Sequence, residues 1–118
     1  MASQLASGDL ISDRYASALY DLAAEKKAVD PVLNDLSNLK KILKDNKELN
    51  LVIKSPLITS PDKLNIFKNL LKKINANELT NTFLKVIEKN KRFSNLASII
   101  AQFIKINSHK RGDVLAGI

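Results

Sequence analysis

Apolar residues recur along this chain at helical spacing, and alternation of the kind a half-buried strand needs is nowhere sustained. Six helices are predicted. The first runs from about Asp9 to Lys27, with Ser7 or Asp9 available as a cap and Lys26 and Lys27 suited to the negative C-terminal end. The second opens on Asp30-Pro31, a capping carboxylate followed by proline at the first helical position, and continues to about Asp45. A short third covers roughly Lys47 to Ile53. Pro56 and Pro61 punctuate the connection from Ser55 to Ser60. Ser60-Pro61-Asp62 repeats the cap-then-proline signal and starts a fourth helix to about Ile74. The fifth runs from about Glu78 to Lys89, with Asn90 expected in the left-handed position that ends it. The sixth follows from Arg92 or Phe93 to Ser108, with Gly112 as its stop. Short connections between helices imply an all-α, six-helix bundle in a single domain. The expected organisation is a flexible N-terminus over 1–8, the helical domain over 9–110, and the start of a linker over 111–118.

The helix faces sort core from surface. On the sixth helix, Phe93, Leu96, Ala97, Ile99, Ile100, Ala101, Phe103, Ile104 and Ile106 cover roughly 220°, as a central helix requires. The fourth has one stripe: Leu64, Ile66, Phe67, Leu70, Leu71 and Ile74. The first helix is wider than one packing contact needs. Ile11, Tyr15, Ala16, Ala18, Leu19, Tyr20, Leu22 and Ala23 span roughly 200°. Two readings fit: a helix buried deeply with alanines chosen for tight packing, or a groove in which alanines let a partner helix come close.

Composition narrows the chemistry. The chain has 118 residues, 45% hydrophobic and 26% charged, which is globular rather than disordered. There is no cysteine, which excludes disulfides, thiolate zinc sites and cysteine nucleophiles. The one histidine, His109, has no second ligand to join it. Three glycines cannot write either common phosphate-binding loop. Asp21 and Glu25 share a helix face, but it is the polar face. Arg111-Gly112-Asp113 spells an adhesion tripeptide with no supporting context. No catalytic residue, cofactor or metal is expected, and the chain is read as non-enzymatic. No apolar run is long enough to span a membrane, so no direct insertion is expected.

The net charge of +7 lies in one half. Residues 1–60 balance 8 bases against 8 acids, whereas residues 61–118 carry 11 against 4. The densest cluster is Lys85, Lys89, Lys91 and Arg92. A nucleic-acid-binding domain is the alternative function this supports. Only three arginines and no exposed aromatic platform argue against it, so no nucleic-acid partner is expected. An adaptor bundle for some other helix is a third reading.

A set of ordered motifs carries a resemblance. The first helix reads Arg14-Tyr15-Ala16-Ser17-Ala18-Leu19, then Asp21-Leu22-Ala23. Ser55-Pro56-Leu57-Ile58 with Lys63 follows, then Asn90-Lys91-Arg92-Phe93 with Leu96, Ile99 or Ile100 and Phe103, then Lys110-Arg111-Gly112-Asp113-Val114. Over about residues 9 to 116 the chain resembles the N-terminal domain of the delta subunit of bacterial F-type ATP synthase. The mitochondrial counterpart of that family is the oligomycin sensitivity conferral protein. The resemblance implies a stator component of the peripheral stalk, which holds the catalytic head against rotor torque during proton-driven ATP synthesis. It implies a groove between the first and fifth helices that receives the N-terminal amphipathic helix of an alpha subunit. Carried over by position, the groove residues are Ile11, Arg14, Tyr15, Ala18 and Leu22 on the first helix, and Phe83, Val86 and Ile87 on the fifth. The helical wheel does not divide groove from core for Leu22 and Ile87. The family binds the stalk's b subunits through a C-terminal domain, which these residues do not include. The expected state in isolation is a monomer. The expected setting is the cytoplasmic side of a bacterial inner membrane, peripheral through the complex; a processed mitochondrial matrix chain reads the same.

Overall fold

The helix ends show how local chemistry divides the chain. The computed structural model describes residues 7–112, with side chains described from Leu10 to Lys110. Its helices are α1 Ser7–Glu25, α2 Val29–Asp45, α3 Lys47–Lys54, α4 Ser60–Lys73, α5 Glu78–Lys89 and α6 Leu96–Asn107. A 3-10 turn, Phe93–Asn95, leads into α6, and a π-helical turn, Ser108–Gly112, follows it. No strand occurs among the described residues. The expected tail over 1–8 lies outside the described residues except for Ser7 and Gly8, which begin α1. Most of the expected linker, 113–118, also lies outside them, as does Asp113 of the adhesion tripeptide.

Both proline-marked starts are shifted by one or two residues. In α2 the N-cap is Ala28, without a side-chain bond, and Asp30 lies inside the first turn. Pro31 is then the third helical residue, still within the turn whose N–H groups have no intrahelical acceptor, so its missing donor breaks nothing. In α4 the cap is Thr59, whose hydroxyl accepts from the Asp62 N–H at 3.3 Å. Pro61, second in the helix, has no N–H to satisfy.

Three helices end by one device. Lys27, Asn75 and Lys91 take φ of 55°, 55° and 56°. Each is followed by a residue whose N–H reaches back across the turn: Ala28 to the Ala23 carbonyl, Ala76 to Leu71, and Arg92 to Ile87, at 2.7, 2.9 and 2.9 Å. This closure satisfies carbonyls left over at a helix end and needs a left-handed residue between. In α5 that residue is Lys91, not Asn90, which keeps φ −92°. A lysine there costs about 1 kcal/mol, and the closure brings Phe93 into the core, 2% exposed.

The core is built around α6. Leu96, Ile99, Ile100 and Phe103 are fully buried, with α1 packed along one side of the helix and α2 along another. Ala97 and Ala101 are exposed, so the buried face is narrower than the wheel suggests. α4 and α5 pack as a neighbouring pair. Phe67 of α4 stacks on Phe93 with centroids 5.5 Å apart and planes 18° apart. The α3–α4 break is tied by Lys63, whose Nζ donates to the Ile53 carbonyl at 2.7 Å.

Candidate functional site

α1 has two apolar faces, and they do different things. Ser12, Ala16, Leu19, Tyr20 and Ala23 are buried. Ala16 and Ala23, both 0% exposed, leave room for α6 to approach closely. Tyr20 packs against Phe103 with ring centroids 5.4 Å apart, and its hydroxyl lies 3.5 Å from Asn107 Oδ1. Rotated by roughly 100° from this face is a second stripe, Ile11, Tyr15, Ala18 and Leu22. It is half-buried or exposed. Deep burial and a groove both describe α1, one on each face.

The second stripe faces α5 across a gap. α1 and α5 are not among the closely packed helix pairs. The centre of the gap is a cavity of about 240 Å³ with almost wholly apolar walls. Tyr15, Ala18, Leu19 and Leu22 form one wall; Leu79, Thr82, Phe83 and Val86 form the other. Leu22 and Val86 are left 37% and 40% exposed, an open apolar seam that no other described residue covers. Toward the start of α1 the gap continues past Tyr15 and Ala18 to Ile11, Arg14 and Arg92. Toward its end it continues past Leu22, Leu79 and Thr82 to Lys26, Ala28, Asn77 and Glu78. The three cavities share residues and form one trough. At 1.5 Å per residue, the stretch from Ile11 to Lys26 makes it about 22 Å long, or about four helical turns.

The α5 wall is held in place by a buried acid. Asp35 of α2, 4% exposed, accepts through Oδ2 from the Asn77 N–H and the Thr80 hydroxyl, both at 2.7 Å. The Asn77 side chain in turn accepts from the Leu79 N–H at 2.9 Å. These bonds satisfy the first turn of α5 and fix its start against α2. Thr80, Leu84 and Ile87 then point into the core.

Seven of the eight expected groove residues line the trough: Ile11, Arg14, Tyr15, Ala18, Leu22, Phe83 and Val86. Ile87 does not. It is 0% exposed, one position and about 100° beyond Val86, on the face it shares with Thr80 and Leu84. Eight lining residues were not anticipated: Leu19, Leu79, Thr82 and Arg92, and, toward the end of α1, Lys26, Ala28, Asn77 and Glu78. The α5 set was readable, since 79, 82, 83 and 86 form an i, i+3, i+4, i+7 stripe. Asp21, Glu25 and His109 are exposed. Among the described residues, no group of three or more acidic or histidine side chains is placed to hold a metal, and no helix is long and apolar enough to cross a membrane.

An open apolar trough between the first and fifth of six helices is the arrangement that the motifs implied. The family model described as the ATP synthase delta (OSCP) subunit matches residues 11–118. The chain belongs to the ATP synthase delta (OSCP) subunit family. It is 36% identical over 116 residues to ATP synthase subunit delta of Brucella anthropi, and 34% identical over 116 residues to that of Rhizobium leguminosarum bv. trifolii. Each alignment takes in 98% of this chain and 61% of the relative, so the chain spans about three-fifths of the length of these delta subunits. A chain in the cryo-EM structure of the Toxoplasma gondii mitochondrial ATP synthase hexamer superposes with a TM-score of 0.73 at 33% identity, over 78% of this chain and 51% of that one. This fold is thus shared with a chain of a mitochondrial ATP synthase assembly.

Proposed function

We propose that this chain acts as the head-binding domain of a peripheral stalk, and that its α1/α5 trough receives the N-terminal amphipathic helix of an ATP synthase alpha subunit. The observation that carries the reading is the open apolar seam of Leu22, Val86 and their neighbours between α1 and α5. An isolated exposed leucine has little meaning; a trough about four turns long, apolar at its centre and charged at its ends, has the shape of an amphipathic helix. Membership of the delta family supports this choice of partner. The role is mechanical: holding the catalytic head against rotor torque needs tight, oriented binding and no bond chemistry. Affinity then comes from apolar burial at the centre, with charged side chains at the ends of the trough. Contact with b subunits belongs to the part of the family's length that these residues do not span, and the domain sits on the cytoplasmic side of a bacterial membrane through the complex.

Titration calorimetry tests this. The probe is a synthetic peptide of the first two dozen or so residues of the alpha subunit from the same organism. Saturable binding that persists at high salt and disappears in Ala18→Asp supports the reading. A folded domain that ignores the peptide overturns it. Steeply salt-dependent binding to an oligonucleotide instead points to nucleic acid, through counterion release.

A further inference from the structure

One end of the trough differs in kind from its centre. Beyond Tyr15 and Ala18 the walls are Ile11 and two guanidinium side chains, Arg14 and Arg92, around a cavity of about 350 Å³. Among the described residues, no acidic side chain lines it. The Arg92 Nε is buried and has no hydrogen-bond partner. A buried donor without a partner is uncommon and costly, and no side chain among the described residues relieves it.

The two arginines come from separate parts of the fold. Arg14 rides on α1, one turn before Ala18. Arg92 follows the left-handed Lys91 and is pinned by its own N–H to the Ile87 carbonyl at 2.9 Å. Phe93, buried beside it, anchors the other side. The backbone that carries Arg92 is therefore fixed, and its half-buried side chain is aimed at the trough rather than free in water. Guanidinium groups offer planar paired donors that match a carboxylate.

We propose that Arg14 and Arg92 form a carboxylate subsite at one end of the trough, which takes an acidic side chain of the docked helix and sets that helix's register. The inference rests on the groove reading above. Because the subsite shares Tyr15 and Ala18 with the apolar centre, the acid must lie on the same face as the apolar anchors and about one turn beyond them. An apolar trough alone lets a helix slide by a turn with little change in area. A charged contact at one end removes that freedom and rejects helices lacking the acid.

The test is a double-mutant cycle by calorimetry with the alpha-subunit peptide. Each Asp or Glu of the peptide is replaced in turn by Asn or Gln. Each peptide is measured against the natural domain, Arg92→Gln, Arg92→Lys and Arg14→Gln, at low and high salt. Thermal melts confirm that each variant is folded; Arg14 is exposed on α1, so its cycle stands if Arg92→Gln does not fold. The expected result is one peptide amide substitution and Arg92→Gln each weakening binding about tenfold, the pair together weakening it little further, and Arg92→Lys keeping part of the affinity. Normal binding that no arginine substitution alters, or losses that multiply independently for every acid, overturns the subsite and leaves the groove standing. Absence of binding by the natural domain removes both.

Discussion

The Thr80 hydroxyl donates to the buried carboxylate of Asp35 at 2.7 Å, joining α2 to α5 across 45 positions of sequence. The same oxygen takes the Asn77 N–H, so one acid orients the start of the helix that forms half of the trough. Asp35→Ala leaves the buried Thr80 hydroxyl and the half-buried Asn77 N–H without their acceptor. A loss of about 2–4 kcal/mol is expected, read as a lower urea midpoint with an unchanged slope. Thr80→Val, which removes only one donor, costs less than Asp35→Ala.

Two alanines two residues apart on α1 answer oppositely to the same change. Ala16 is 0% exposed against α6, and Ala18 lies open in the trough. Ala16→Asp places an unpaired charge in the core and should cost about 4 kcal/mol or more, enough to prevent folding. Ala18→Asp should stay within about 0.5 kcal/mol of the natural domain while losing the peptide. Circular dichroism melts alongside calorimetry separate the two effects.

The end of α5 offers a gain. Lys91 holds φ 56° and Asn90 holds φ −92°. Lys91→Gly relieves a left-handed residue, partly offset by the extra freedom of glycine in the unfolded chain. A net gain of about 0.5 kcal/mol and a rise of roughly 2–4 °C in Tm are expected. Asn90→Gly should lower Tm, since no positive φ is relieved there.

Lys63 is a lysine whose charge is put to structural use. Its Nζ meets the Ile53 carbonyl at the end of α3. Lys63→Met keeps the aliphatic stem and removes the donor. A loss of about 1 kcal/mol is expected, with faster amide exchange in α3 than in α6.

Helix number, order and core were legible because each helix carries its own apolar stripe, and stripes are local properties. Phe67, Leu71 and Phe103 all lie on the faces their spacing predicts. What failed was decided by tertiary contact. Asp30 reads as a cap, but α2 begins two residues earlier, after the turn in which Ala28 N–H closes on the Ala23 carbonyl. Asn90 is the better left-handed residue in isolation, and Lys91 takes the position because the closure must deliver Phe93 to Phe67. Ile87 looks like a groove residue until α5 is turned by the bonds from Asp35, which no helical wheel contains. Arg92 was missed because it lies between helices, where periodicity says nothing.

α1 is gripped by α6 on one face and offers the trough on another, parallel to its own length. Whatever sits there lies alongside α1, not end-on. Drag along the axis of such a joint acts in shear, straining every turn of contact together. Lifting one end parts the contacts turn by turn, as a seam opens. The geometry suits a coupling that stays shut under steady drag along its length and comes apart only when peeled from one end.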